Sequence, residues 1–240
     1  MRRKENDGMQ KLGLVGGTGP ESTVFYYKAV IDGVQRVAGP QSLPMLTIES
    51  LSVFDVLDYC ARRDFDGLTG YLTAAIDRLA RAGAQVASLT ALTPHIVFDR
   101  LRASSPIPLI SAVEATCAAA VADGGRTVAL LGTEYTMTED FFSGALRDAG
   151  LQVMVPDAGE ITWIQQRIVD ELEHGIVTDD TRAGLIAIVG RLRGAGADRV
   201  ILGCTELPLV LDDVVSPLPC LDPVQIHARA LVAAIVAPGD

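Results

Sequence analysis

The chain is poor in the residues that announce metal or redox chemistry. Its four cysteines (Cys60, Cys117, Cys204, Cys220) show no CxxC spacing, and its three histidines (His95, His174, His227) do not cluster. That disfavours a zinc site and, in a chain read as cytoplasmic, a disulfide framework. An excess of positive charge is also lacking. The net charge of −10 counts against binding a phosphate backbone, which needs a basic face that releases counterions, so no nucleic-acid partner is expected. No apolar run reaches the roughly 18 to 20 residues of a membrane span, and no membrane partner is expected. The start, MRRKENDGMQK, runs from basic residues into Glu5, Asn6 and Asp7 without an apolar core. It reads as neither a secretory signal nor an anchor, Met9 is an alternative start, and the expected location is cytoplasmic.

What is present is a globular composition, 49% hydrophobic and 21% charged, well away from disorder. Short β-rich runs alternate with longer helical patterns. Strands are expected at Leu12 to Val15, Met45 to Glu49, Gln85 to Leu89, Pro106 to Ile110, Thr127 to Leu131, Gln152 to Val155, Arg199 to Leu202 and near Pro217 to Leu221. Helices are expected over 21–37, 67–82, 113–122, 138–149, 161–174, 180–193 and 224–236. Such alternation implies parallel sheets with right-handed crossovers.

The chain also repeats itself. Ile76 to Asp99 lies without gaps over Val189 to Asp212, matching at Arg78/Arg191, Leu79/Leu192, Ala82/Ala195, Gly83/Gly196, Ala84/Ala197, Leu89/Leu202, Val97/Val210 and Asp99/Asp212. The strand Leu14-Val15-Gly16 likewise resembles Leu130-Leu131-Gly132. The expected fold is α/β, with two pseudo-symmetric domains, each a parallel sheet flanked by helices. The first would span 12–111 plus 217–237 and the second 112–216. Ligands of parallel sheets bind beyond the carboxyl ends of strands, so loops 16–23, 90–95, 132–138 and 203–208 are expected around one interdomain cleft that holds the active site.

In the repeat register Cys204 falls opposite Ala91. Cys204 closes an apolar strand and is followed by Thr205 and Glu206, a context that makes it the candidate catalytic thiol. Turn amides there would lower its pKa. Cys117 reads as core, Cys60 as a helix residue, and Cys220 as packing near a strand end. Gly16-Gly17-Thr18-Gly19 before a helix offers backbone N–H groups and the positive end of a dipole, a seat for a carboxylate. A tight structural turn explains the same residues equally well. GGTGPES has neither the G-x-G-x-x-G spacing nor a following GK[ST], so nucleotide binding is not expected. His95, after Thr93-Pro94, is either a site residue or a cap partner. His174 and His227 read as surface or capping residues on helices.

These residues carry a family resemblance. GLVGGTGPESTVFYYKAV, LTPHIVFDRL, LLGTEYTMTEDFF, DELEHGIV and ILGCTELPLVL, in that order, resemble the aspartate/glutamate racemase family of cofactor-independent enzymes over about residues 11 to 236. The resemblance implies two pseudo-symmetric α/β domains with the active site between them, no cofactor and no metal. It implies a small, acidic carboxylate substrate bound by Gly17, Thr18, Gly19, Thr93, His95, Thr133, Thr136, Thr205 and Glu206. It is also compatible with a homodimer. Members use two cysteines, one on each face of the substrate α-carbon, and Cys204 matches the second.

The first cysteine is where the chain departs from the family. Cys-Asn-Thr is replaced by Ala91-Leu92-Thr93, and alanine transfers no proton. A general acid or base contributes typically ~10² to 10⁴ in rate. Three readings follow. The first is an isomerase in which Cys204 works with water, Thr93 or His95. The second is a one-thiol decarboxylase of a malonate-type acid, and the third a non-catalytic carboxylate-binding protein.

Overall fold

The computed structural model describes residues 8–236. In chain order the elements are β1 (Leu12–Gly16), α1 (Pro20–Ala38), β2 (Leu46–Ser50), α2 (Val53–Ala61), α3 (Phe65–Arg81), β3 (Val86–Leu89) and α4 (Phe98–Ser104). They continue with α5 (Ala112–Ala122), β4 (Thr127–Gly132), α6 (Glu134–Thr138), α7 (Asp140–Asp148), β5 (Gln152–Met154), α8 (Ala158–Asp170), α9 (Asp179–Gly194), β6 (Arg199–Gly203), β7 (Cys220–Leu221) and α10 (Pro223–Val236). Two compact units result, residues 8–112 with 227–236, and residues 113–226.

The first unit is built on a parallel sheet of order β2-β1-β3. β1 is buried along its whole length, as expected for a strand covered on both faces. Leu68, Leu72, Ile76 and Leu79 form a stripe at helical spacing along α3, and each is 1% exposed or less. α3 packs against β1 and β2, and burying each such side chain stabilises by about 1.5–3 kcal/mol. Asp64 ends the preceding turn by accepting from the Gly67 N–H at 2.8 Å, which fixes where α3 begins. The terminal helix returns to this unit through Leu231 and Ile235, both fully buried.

The second unit is a parallel sheet of order β5-β4-β6-β7. Leu131, Ile164, Ile168, Leu185, Val189 and Leu202 form its core. α8 starts three residues earlier than the hydrophobic pattern implies, because Asp157 and Glu160 form a reciprocal capping box.

The repeat read from the sequence has a structural counterpart. α3 ends at Arg81 and α9 at Gly194, and β3 begins at Val86 and β6 at Arg199, all equivalent positions. Both helices stop in the same way. Gly83 and Gly196 have φ of 86° and 113°, and the following amides, Ala84 and Ala197, reach back to Leu79 and Leu192. This is the Schellman closure, which a residue with a Cβ adopts only under strain.

Several expectations are corrected. Pro106 to Ile110 does not form a full strand: two prolines remove its donors, leaving one parallel bridge, Ala87 with Leu109. The strand near Pro217 shrinks to β7 for the same reason. Because β7 pairs with β6, residues 217–226 belong to the second unit rather than the first; residue 237 lies outside the described residues. The helix expected over 138–149 breaks at Glu139, which is extended (φ −85°, ψ 152°). Cys60, expected as a helix residue, lies in α2; the start of α2 and the whole of α4 were not expected.

Candidate active site

In the first unit, the ends of β1 and β3 lie side by side, with Val15 paired to Leu89. The chain then turns through Gly17, whose φ is 77° and whose added Cβ would lie 2.2 Å from the Leu51 carbonyl oxygen. Only glycine fits there. The turn is tied by Thr23: its Oγ1 accepts from the Gly17 N–H at 3.0 Å, donates to the Gly19 carbonyl at 2.9 Å and lies 3.0 Å from Thr90 Oγ1. The Gly17 amide is therefore not free for a ligand, contrary to the sequence expectation. Two features of the turn remain open. Gly19 caps α1 without a side-chain hydrogen bond, leaving first-turn amides unpaired by helix geometry. Thr18 is 8% exposed, and its Oγ1 is buried with no hydrogen-bond partner.

Past β3, Thr90 is fully buried and bonded to Thr23 and to the Val15 carbonyl, so its hydroxyl is committed inward. Ala91 and Thr93 are half-buried. His95 is 4% exposed. Its Nδ1 donates to the Ala91 carbonyl at 3.0 Å, and its Nε2 accepts from the Ala112 N–H at 3.1 Å. Its ring also stacks on Phe98. Burial pushes its pKa down to about 4, so the ring is neutral and both nitrogens serve backbone. His95 shapes the loop after β3 and has no nitrogen left for a substrate.

His227 departs from its expected surface position. It is fully buried, 2.7 Å from Tyr26 Oη and 2.9 Å from Ser88 Oγ, and burial lowers its pKa to about 3. It ties α10 to α1 and β3.

In the second unit, Gly132 and Gly203 pair at the ends of β4 and β6, which sets Thr133 beside Cys204. Thr133 caps α6, accepting from the Thr136 N–H. Thr136 is fully buried and packs against Gly132 and Gly203, with its hydroxyl 3.1 Å from Thr133 Oγ1. It braces the strand ends and presents no surface to a ligand. Thr205 and Glu206 are half-buried.

Cys204 is 8% exposed, at the edge of the core. Its Sγ donates to Glu206 Oε2 at 2.9 Å. Burial raises its pKa well above that of an ordinary thiol, and the negative charge of Glu206, followed by that of Glu173, adds to the effect. A lowered thiol pKa was expected from strand-end amides; desolvation and two carboxylates outweigh them. Cys204 therefore rests as a thiol. Glu173, which follows α8 in a short turn over Leu172–His174, is itself pushed up by burial and by Glu206. It lies in DELEHGIV, but its role is not legible there because only the fold brings it near residue 206.

The structure thus groups Gly17, Thr18, Gly19 and the 90–93 loop in one unit, and Thr133, Cys204, Thr205 and Glu206 in the other. None of the four cysteines forms a disulfide. Among the described residues, no group of three His, Cys, Asp or Glu side chains is placed to hold a metal ion, and no helix is long and apolar enough to cross a membrane.

Comparison with known proteins places this arrangement. A family model described as Asp/Glu/Hydantoin racemase matches residues 15–231. A Yersinia pestis protein provisionally named an Asp/Glu racemase superposes with a TM-score of 0.90 at 29% identity, over 95% of this chain and 100% of that one. An aspartate racemase homologue from Pyrococcus horikoshii OT3 gives 0.84 at 33% identity over the same shares. The broad specificity amino-acid racemase RacX of Bacillus subtilis (strain 168) is 25% identical over 94% of this chain and 98% of its own length.

Proposed function

The chain belongs to the Asp/Glu/Hydantoin racemase family, and within it we propose an isomerase-type enzyme that moves a proton at the α-carbon of a small carboxylate, with Cys204 as its single thiol acid/base. The observation that carries this reading is the buried Cys204 S–H donating to Glu206 at 2.9 Å, at a strand end where parallel sheets present ligands.

In the protonating half-reaction the Sγ–H bond breaks, a Cα–H bond forms at the carbanionic carbon, and the electron pair stays on sulfur as thiolate. The reverse step takes the proton back. Burial, then Glu206 and Glu173, disfavour the thiolate, so the thiolate, once formed, is a strong base. The substrate carboxylate is assigned to the α1 turn, where the Thr18 hydroxyl lacks a partner and the first-turn amides carry partial positive charge. Thr133 and Thr205 are the assigned polar contacts of the second unit.

Ala91 itself supplies no acid. With both nitrogens of His95 committed, water or Thr93 is the remaining partner. The test is mass-detected deuterium incorporation at Cα in D₂O across a panel of amino acids, with Cys204→Ser as the control. Incorporation that depends on Cys204 is expected; equal incorporation by the variant overturns the role of the thiol.

A second reading is favoured by the protonated resting thiol: loss of CO₂ from a malonate-type acid followed by protonation from Cys204. CO₂ release from malonates, without deuterium wash-in to amino acids, would select it.

A further inference from the structure

Beside the α1 turn the first unit holds an open cleft of about 460 Å³, within the size range of small-molecule pockets. Gly17, Pro20 and Thr23 belong both to its wall and to the turn. Its other walls are Val24, Leu51, Val53 and Phe54, with Ser50 and Ser52 between them. Phe54 and Val24 are 77% and 48% exposed, so the rim presents an aromatic ring and a branched aliphatic side chain to whatever enters.

No lysine, arginine or histidine lines this cleft. The nearby charges are negative or already paired. Glu49, next to Ser50, is bonded to Arg78 at 2.7 Å. Asp55, one residue past Phe54, accepts from Tyr71 Oη at 3.1 Å. At the start of α2, Ser52 Oγ accepts from the Asp55 N–H, and Asp55 sets a negative charge in the first turn. A second carboxylate placed here would gain no counter-charge from the walls and would lose part of its hydration against them. An alkyl or aryl group would instead remove Phe54, Val24 and Leu51 surface from water.

We propose that this cleft is the side-chain subsite and that it selects substrates with an uncharged, apolar side chain rather than aspartate or glutamate. The proposal rests on the assignment of the substrate carboxylate to the α1 turn. It replaces the acidic substrate that the family resemblance implies.

Calorimetric binding to the intact chain separates this claim from the catalytic one. The probes are alanine, norvaline, norleucine and phenylalanine, set against aspartate and glutamate. Affinity is expected to rise about fourfold per added methylene, equivalent to ~0.8 kcal/mol, with both acidic amino acids at least about tenfold weaker than norleucine. Phe54→Arg, at an exposed position, should reverse that order, and Phe54→Ala should weaken norleucine and phenylalanine without strengthening the acids. Aspartate or glutamate binding as tightly as norleucine overturns the proposal, and so does failure of both classes to bind. Selective binding of apolar amino acids without Cα exchange supports the subsite and overturns the proton-transfer reading instead.

Discussion

At two strand ends made equivalent by the internal repeat, the protein has kept the scaffold and changed the chemistry. α3 and α9 stop with the same glycine closure, and β3 and β6 start at matching positions. Beyond them, the second unit carries Cys204, held as a thiol by burial, Glu206 and Glu173. At the matching position the first unit carries Ala91, in a loop pinned by a neutral His95. The framework residues are fixed by packing and backbone hydrogen bonds. Both loops are anchored, Cys204 and Leu207 in the core of the second unit and Leu92 and His95 by burial in the first, so the difference between them lies in the chemistry of single side chains.

The comparison breaks most sharply at the thiol itself. Cys204→Ser should lower Cα exchange by ~10² to 10⁴, measured by deuterium incorporation, with ligand binding within a few-fold of wild type. The opposite change, Ala91→Cys, should raise net racemisation by up to ~10², read by chiral chromatography, because it restores an acid/base on the deficient side. Adding Leu92→Asn should help further by rebuilding a polar contact. No gain would mean that the two loops are not functional counterparts.

The histidines sharpen the comparison through pH. His95 and His227 titrate near 6.5 in the unfolded chain, but at about 4 and about 3 in the fold. Below about pH 6.5 the unfolded state takes up protons that the native state refuses. Stability is therefore full above that pH and falls as the pH drops towards 4, by roughly 2 kcal/mol per histidine at pH 5. Both residues lie in the first unit, so acid should loosen that unit first. Hydrogen exchange at pH 7 and pH 5 checks this, and uniform loosening of both units would contradict it.

Glu206→Gln removes the carboxylate that accepts the Cys204 proton. The thiol pKa should fall, and alkylation of Cys204 at pH 7 should become severalfold faster. Where the units are alike, effects should be alike: Gly83→Ala and Gly196→Ala should each destabilise by about 1–2 kcal/mol, the strain of a Cβ at positive φ, measured by urea unfolding. A large inequality would show that the two closures are not equivalent.

Much of the framework was legible because it rests on local signals. The apolar runs of β1, β4 and β6 and the Ala-Gly-Ala stops of α3 and α9 are patterns of a few residues. The start of α2 was hidden by Val53, Phe54 and Val56, which favour strand as much as helix, and α4 is too short to show a period. The site was legible as residue types and not as environments. Cys204 is singled out by its repeat position, but its raised pKa comes from a core and from Glu173, which only the fold supplies. His95 and Thr136 look like ligand contacts in sequence, whereas packing turns both inward. The apolar cleft joins residues 17–24 to 50–54 across a parallel pairing of β1 and β2, a neighbourhood that no short motif encodes.

The central claim, one proton-carrying thiol at a strand end whose repeat counterpart carries alanine, is tested most directly by following deuterium entry at Cα and loss of enantiomeric purity in the same D₂O reaction with the wild-type chain. On the proposed mechanism, deuterium should enter well before the opposite enantiomer accumulates, because a single thiol returns the proton to the face it came from. Equal rates for the two, unchanged in Cys204→Ser, would contradict the account.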